Sequence, residues 1–297
     1  MRSLVSLLMG VLAAAVLLFA GCDNGTTPPD DGNGGGVSFA MRYVPAGSYQ
    51  RDDTATNITV ISNGYWIGET EVTKGLFDAV MGSGHSNHFT TNPEGGSASL
   101  LPVEQVNWYA AIAFCNKLSL KDGKDPVYSV SGISDWTNLA YSAIPVSSNS
   151  TWDAATQDRS KNGYRLPTEA EWMWAAMGAD TGGRSKAFAG STGSNSIGDY
   201  AWYKENAGSK THETGSKLAN ELGIKDMTGN VYEWCWGWYG TIGTGTLTDP
   251  TGAASGTFRI LRGGSWSSEA INCTFANRFA NYPDLGTHSF GFRVACP

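Results

Sequence analysis

The sequence predicts an α+β fold with little regular secondary structure and long loops. Three observations carry that prediction. The 297 residues include 38 glycines, and Ser, Thr and Asn are dense between short apolar clusters, which is a composition of many turns. Only three segments combine a capping residue with the apolar content of a helix. The other apolar runs are short, aromatic and bounded by glycine, as strands joined by tight turns are.

From the N-terminus, Arg2 precedes an apolar run from Leu4 to Phe19 and then Ala20-Gly21-Cys22. A positive start, an apolar stretch short for a bilayer and small residues before a cleavage point describe a signal peptide. Small residues directly before a cysteine resemble a bacterial lipobox, with Phe19 in place of its usual Leu. That resemblance implies cleavage over residues 1–21 and lipid on Cys22, hence a lipoprotein of the bacterial cell envelope, anchored in the outer membrane and displayed at the cell surface. The tract Asp23 to Gly36 holds almost nothing apolar and reads as a solvated tether with a reach of about 20 Å. Residues 22–37 are thus lipidated cysteine and linker, and 38–297 one domain, since no second linker of that polarity follows.

Within that domain, Thr73 can cap a helix through Met81 that stops at Gly82. Asn107 can cap a second, with Trp108, Ile112, Cys115 and Leu118 on one stripe. Thr168 and Glu171 form a capping box for a third, ending near Met177 with Gly178 beyond it. Glu169 and Glu171 there suit the helix N-terminus better than acid-base chemistry. Strands are expected at Tyr65 to Ile67, Val231 to Trp236, Phe258 to Leu261 and Phe290 to Val294, and Trp234 and Trp266 are expected in the core. Ser83 to Ser99 and Asp135 to Asn162 read as polar excursions without a core pattern. Ser267 to Ser289 has neither a period of two nor of 3.6 and reads as a surface loop.

Several motifs resemble the formylglycine-generating enzyme (sulfatase-modifying factor) family, whose fold is a variant of the C-type lectin fold. They are Met41 to Gly47, Glu71-Val72-Thr73, Pro102 to Trp108, Tyr164 to Trp172, Gly229 to Trp234, and the brackets Arg262-Gly263-Gly264-Ser265-Trp266 and Phe290-Gly291-Phe292-Arg293. In that family loops packed by aromatics replace sheet, and the 11 Trp and 12 Tyr fit such a core. Its enzymes oxidise a cysteine of a client sulfatase with copper held by two cysteines. By the resemblance Cys273 stands at the second of these and Ser268 at the first. Serine cannot give copper(I) a linear dithiolate, so no enzymatic activity is expected and no cofactor is required. The alternative is an exported formylglycine-generating-type oxidoreductase or maturation factor acting through Cys273.

Other implications of the resemblance concern metals and partners. One family calcium site maps onto Asp226, Gly229, Val231 and Glu233, hard oxygen donors of the kind calcium takes; the competing account has Asp226 capping a turn and Glu233 pairing with a core arginine. His85 and His88 sit in a loop composition that argues against a metal there. Once Cys22 is lipidated, Cys115, Cys235, Cys273 and Cys296 remain, with pairing undetermined; Cys115 and Cys235 have the surroundings of buried thiols, and Cys273 is a packed thiol or half of a disulfide. In the lineage served by diversity-generating retroelements, a copying process rewrites asparagine codons of a similarly bracketed segment to many residue types, but never Lys, Gln, Glu, Met or Trp. Apart from Glu269, Ser267 to Ser289 contains none of these. The resemblance thus makes Ser267, Ser268, Ile271, Thr274, Phe275, Phe279, Tyr282, Leu285, Gly286, Thr287, His288 and Ser289 a ligand-binding surface, for a protein or glycan on another cell. Aromatic anchors among small polar residues suit that role. A net charge of −7 gives no reason to expect nucleic acid.

Overall fold

A computed structural model describes residues 39–82 and 84–297. The signal peptide, Cys22 and the whole tether lie outside the described residues. Helix makes up 19% and strand 18% of what is described, both below the ordinary share for a globular domain, so the α+β, loop-rich expectation holds.

The three expected helices form where their caps place them. Helix α1 spans Lys74–Met81, its first turn held by the Thr73 side chain accepting from the Leu76 N–H. Helix α2 spans Trp108–Lys121 under the Asn107 cap, and the expected stripe is buried, but burial is not confined to it. Every residue from Trp108 to Ser119 is buried: the turns up to Cys115 are apolar or aromatic on every face, and Asn116, Lys117 and Ser119 are buried with their side chains bonded to backbone carbonyls. A one-turn helix, α3 (Ser150–Asp153), precedes α4 (Glu169–Ala176), which has both halves of its capping box.

Four small sheets surround these helices. Strands β1 (Met41–Val44) and β4 (Tyr65–Gly68) pair antiparallel, as do β2 (Gly47–Gln50) and β3 (Ile58–Ile61). A two-residue pair, β5 (Tyr128–Ser129) with β6 (Thr156–Gln157), stands apart. Strand β7 (Tyr232–Trp238) is central in a four-stranded sheet; β8 (Leu247–Thr248) joins β3 in parallel. Strands β9 (Arg259–Arg262) and β10 (Phe279–Asn281) follow, then β11 (Phe290–Gly291) and β12 (Ala295–Cys296), giving the order β10-β9-β7-β11 and, separately, β1-β4-β12.

Two expectations fail here. The run from Phe290 to Val294 is not one strand: it starts beside β7 and ends beside β4, crossing between sheets while Arg293 is fully buried. The Asp135 to Asn162 excursion is not free of core either, since Trp136, Ile144, Trp152 and Ala155 pack into the cluster around α1 and α2. The indoles are satisfied as well as buried: Trp108 donates to the Cys235 carbonyl, Trp234 to Val106 and Trp174 to Pro45, so these side chains fill the core without stranding a polar group.

Candidate functional site

The bracket after β9 is set by close packing. Gly263 and Gly264 have φ of 94° and 81°, the left-handed region that favours glycine, and a Cβ on Gly264 would lie 2.6 Å from the Cys273 sulfur. Cys273 is therefore seated directly under the bracket. It is a free, buried thiol, not half of a disulfide, and burial pushes it up to about 12, far from the thiolate that reacts or binds metal. Cys115 and Cys235 are buried free thiols as expected.

Downstream, the segment closes on itself. The Trp266 indole donates to the His288 carbonyl at 3.0 Å and its ring meets Phe89 and His288 at 5.4 and 5.3 Å. Trp266 is half-buried, a clasp at the loop base and not the core residue expected. Between its ends the segment is less irregular than its sequence suggests, for β10 pairs with β9.

Residues proposed for ligand contact divide by burial. Ser267, Ile271, Phe279, Tyr282, Leu285 and His288 are exposed, Ile271 by 76%. Thr274, Gly286, Thr287 and Ser289 are half-buried. Phe275 is 1% exposed within the cluster around α4, and its carbonyl accepts from buried Arg262 at 3.0 Å; it is a core residue, contrary to expectation. Ser268 is buried too, its hydroxyl accepting from the Ser265 N–H at 3.0 Å and lying 3.3 Å from the Tyr232 hydroxyl. At Gly286 a Cβ would lie 2.4 Å from the Gln105 carbonyl oxygen, so this position fits the backbone to α2's entrance and cannot present a side chain freely.

Residues from outside the segment complete the surface. Tyr232, on β7, stacks on Phe279 at 4.9 Å, and Phe258 meets Tyr282 edge-on at 4.7 Å. His88 lies 5.2 Å from His288, ring to ring. None of these was singled out from sequence as part of the ligand surface, although the aromatic alternation of Tyr232, Trp234, Trp236 and Trp238 along β7 marks which residues share a face.

The expected calcium donors are arranged otherwise. Arg293 donates to both oxygens of Glu233, each at 2.6 Å, and the Trp172 indole adds a third bond at 2.7 Å. Glu233 is a buried counter-ion and does not fit a calcium ligand. Asp226, with φ of 56°, accepts from the Gly215 N–H at 2.6 Å. Among the described residues no group of three or more His, Cys, Asp or Glu is arranged to hold a metal ion. Glu71 joins the cluster by accepting from the Asn230 side chain and the Val231 N–H, so three buried carboxylates share one guanidinium. Burial, with Asp226 and Glu233 adding charge, pushes Glu71 well above the carboxylate range; burial likewise raises Asp226 to about 6.

A raised pKa in the fold means that stability present below the unfolded value of 3.8 is lost as pH rises through about 6. Asp226→Asn keeps an acceptor for Gly215 and tolerates the left-handed backbone. It should raise stability at pH 8 by on the order of 1–2 kcal/mol, with the gain vanishing near pH 4, as read by melting curves across pH. A calcium-dependent rise in wild-type melting temperature that this substitution abolishes would instead make Asp226 a metal ligand.

The family model of the sulfatase-modifying factor enzyme 1-like domain matches residues 36–296, a range that takes in the frame and the bracketed loop; the chain belongs to that family. Its solved relatives include the Treponema denticola variable protein 1, 43% identical with a TM-score of 0.81, covering 88% of this chain and 96% of that one. Two curated relatives also match over most of their length. The chaperone protein LppX of Paenibacillus barcinonensis is 34% identical over 281 residues, 88% of each chain. The formylglycine-generating enzyme of Streptomyces coelicolor is 28% identical over 289 residues, 88% of this chain and 87% of the enzyme.

Proposed function

We propose that this protein is a lipid-anchored, surface-displayed binding protein whose ligand site is the segment from Ser267 to Ser289. The observation that carries the reading is the division of that segment: Ile271, Tyr282 and Leu285 project outward while Phe275, Cys273 and the Trp266 clasp fix the frame beneath. Likeness to a variable protein over 96% of its length supports it. Exposed aromatic and aliphatic side chains grouped on one loop are costly to leave in water and typical of recognition surfaces. The ligand is a protein or glycan of another cell.

Catalysis of the formylglycine type is not part of this proposal. Ser268 stands in the place of a copper-binding cysteine, and Cys273 is a buried thiol with a raised pKa. The likeness to formylglycine-generating enzymes accounts for the frame.

The gene compared between isolates tests the binding role. Substitutions should concentrate at Ser267, Ile271, Thr274, Phe279, Tyr282, Leu285 and His288, and spare Gly264, Cys273 and Phe275. An even spread over the domain would remove the segment's special role. For the anchor, carried by Ala20-Gly21-Cys22, Cys22→Ala should abolish incorporation of labelled palmitate and release the protein from membranes; membrane retention without label would mean a retained apolar anchor.

A further inference from the structure

Beside the segment lies an open groove of about 470 Å³, lined by Asp153, Trp238, Tyr282, Pro283, Asp284 and Leu285, with small residues at its margin. Its rim is apolar and aromatic, but two carboxylates stand in it and no cationic side chain lines it. Asp153 accepts from the Tyr109 hydroxyl through one oxygen, at 2.6 Å. Neither carboxylate enters an ion pair among the described residues, and that of Asp284 has no hydrogen-bond partner there. The nearby cation cannot reach the groove. Arg259 is 2% exposed, sealed between the rings of Trp108 and Trp238 at 3.7 and 3.5 Å, and donates to the backbone carbonyls of Trp236 and Asp153, not to the Asp153 carboxylate. Asp284 is held at the entrance to α2, where the Trp108 N–H donates to the Pro283 carbonyl at 2.9 Å and Asn107 reaches the Asp284 carbonyl. Both carboxylates therefore sit on rigid backbone with free acceptor oxygens beside aromatic walls.

We propose that this groove is the cation-accepting part of the ligand site and takes the guanidinium of an arginine side chain presented by a protein ligand. The inference rests on the reading of the segment as a ligand site and names the ligand's chemistry. A flat guanidinium can lie against an aromatic ring such as Tyr282 while its forked donors meet carboxylate oxygens, which a compact ammonium does less well. Asp153 and Trp238 lie outside the segment, so part of this preference would persist when the residues at 282 and 285 change.

The test uses the full chain in detergent, titrated with the blocked peptide acetyl-Gly-Arg-Gly-amide and with its citrulline counterpart, by saturation-transfer NMR. Citrulline keeps the shape and loses the charge. The arginine peptide should bind about tenfold or more tightly than the citrulline peptide, and the Asp153→Asn/Asp284→Asn double variant should remove that difference. Asparagine at 153 still accepts from Tyr109, and the single Asp284→Asn variant, which breaks no internal bond, serves if the double variant melts early. Equal binding of the two peptides, no binding of the arginine peptide, or binding indifferent to both substitutions would overturn the proposal. An even spread of isolate substitutions would remove the segment's role while leaving this charge dependence readable by itself.

Discussion

Phe275→Ala should destabilise the protein by about 3–5 kcal/mol in a denaturant titration, the cost of emptying a core site that the surroundings cannot refill. Tyr282→Ser and Leu285→Ser together should cost less than about 1 kcal/mol. The contrast follows from position alone. Phe275 lies in the cluster with Trp172, Met173 and Ile260, and its carbonyl helps to hold the buried Arg262, so shrinking its ring opens a void beside a charged group. Tyr282 and Leu285 are half in water and touch few neighbours that depend on them. Phe279 belongs between these extremes, because it stacks on Tyr232 and sits in β10. Equal losses for the two sets would mean that the whole segment is core, and the binding reading would fall with it.

Arg293→Met should cost a further class of energy, about 3–5 kcal/mol at pH 7, because the substitution strands Glu233 without its partner in a site with no water to take over. Asp226 makes the deficit worse, since it is ionised at pH 7 and Arg293 also favours its charged form. The guanidinium additionally ties together three strands of chain by donating to the Gly68 and Lys225 carbonyls, each at 3.0 Å. Acidification through about pH 6 should shrink the deficit, as Asp226 takes up a proton there. Urea titrations at pH 7 and pH 5 check both statements; a loss below about 1 kcal/mol would mean that the pair is not the buried bond described.

What sequence could show was decided by how local its causes are. The starts of α1, α2 and α4 were legible because Thr73, Asn107 and Thr168 act on N–H groups two or three residues away. Glu169 and Glu171 were rightly read as structural: Glu171 caps α4 and pairs with Arg165, and Glu169 holds Arg278. The position of β10 was not legible, because nothing in Phe279-Ala280-Asn281 announces that Arg259 to Leu261 will lie opposite. Burial within the segment failed for the same reason. Phe275 and Tyr282 are both aromatic residues in one aperiodic stretch, and the first is set apart by long-range packing against the cluster around α4 and by its carbonyl's bond to Arg262. The partner of Glu233 was not legible either: the likeness placed Glu233 among oxygen donors but could not say that Arg293, sixty residues on, would take both its oxygens. The burial of α2 on every side could have been read from the lack of a polar residue between Trp108 and Cys115.

The Trp266–His288 clasp bears on how such a segment can change without ruin. Joining the ends of a long loop has a chain-entropy cost that grows only slowly with length, and here it is met by groups whose bond uses the backbone carbonyl of His288 and not its side chain. Replacing residues between the clasp points leaves that closure cost untouched. A ligand then meets a loop already ordered and loses less conformational freedom on binding. On the binding role proposed above, new side chains at the exposed positions 271, 282 and 285 would then change affinity at nearly constant folding stability, while Cys273 and Phe275 beneath them stay fixed.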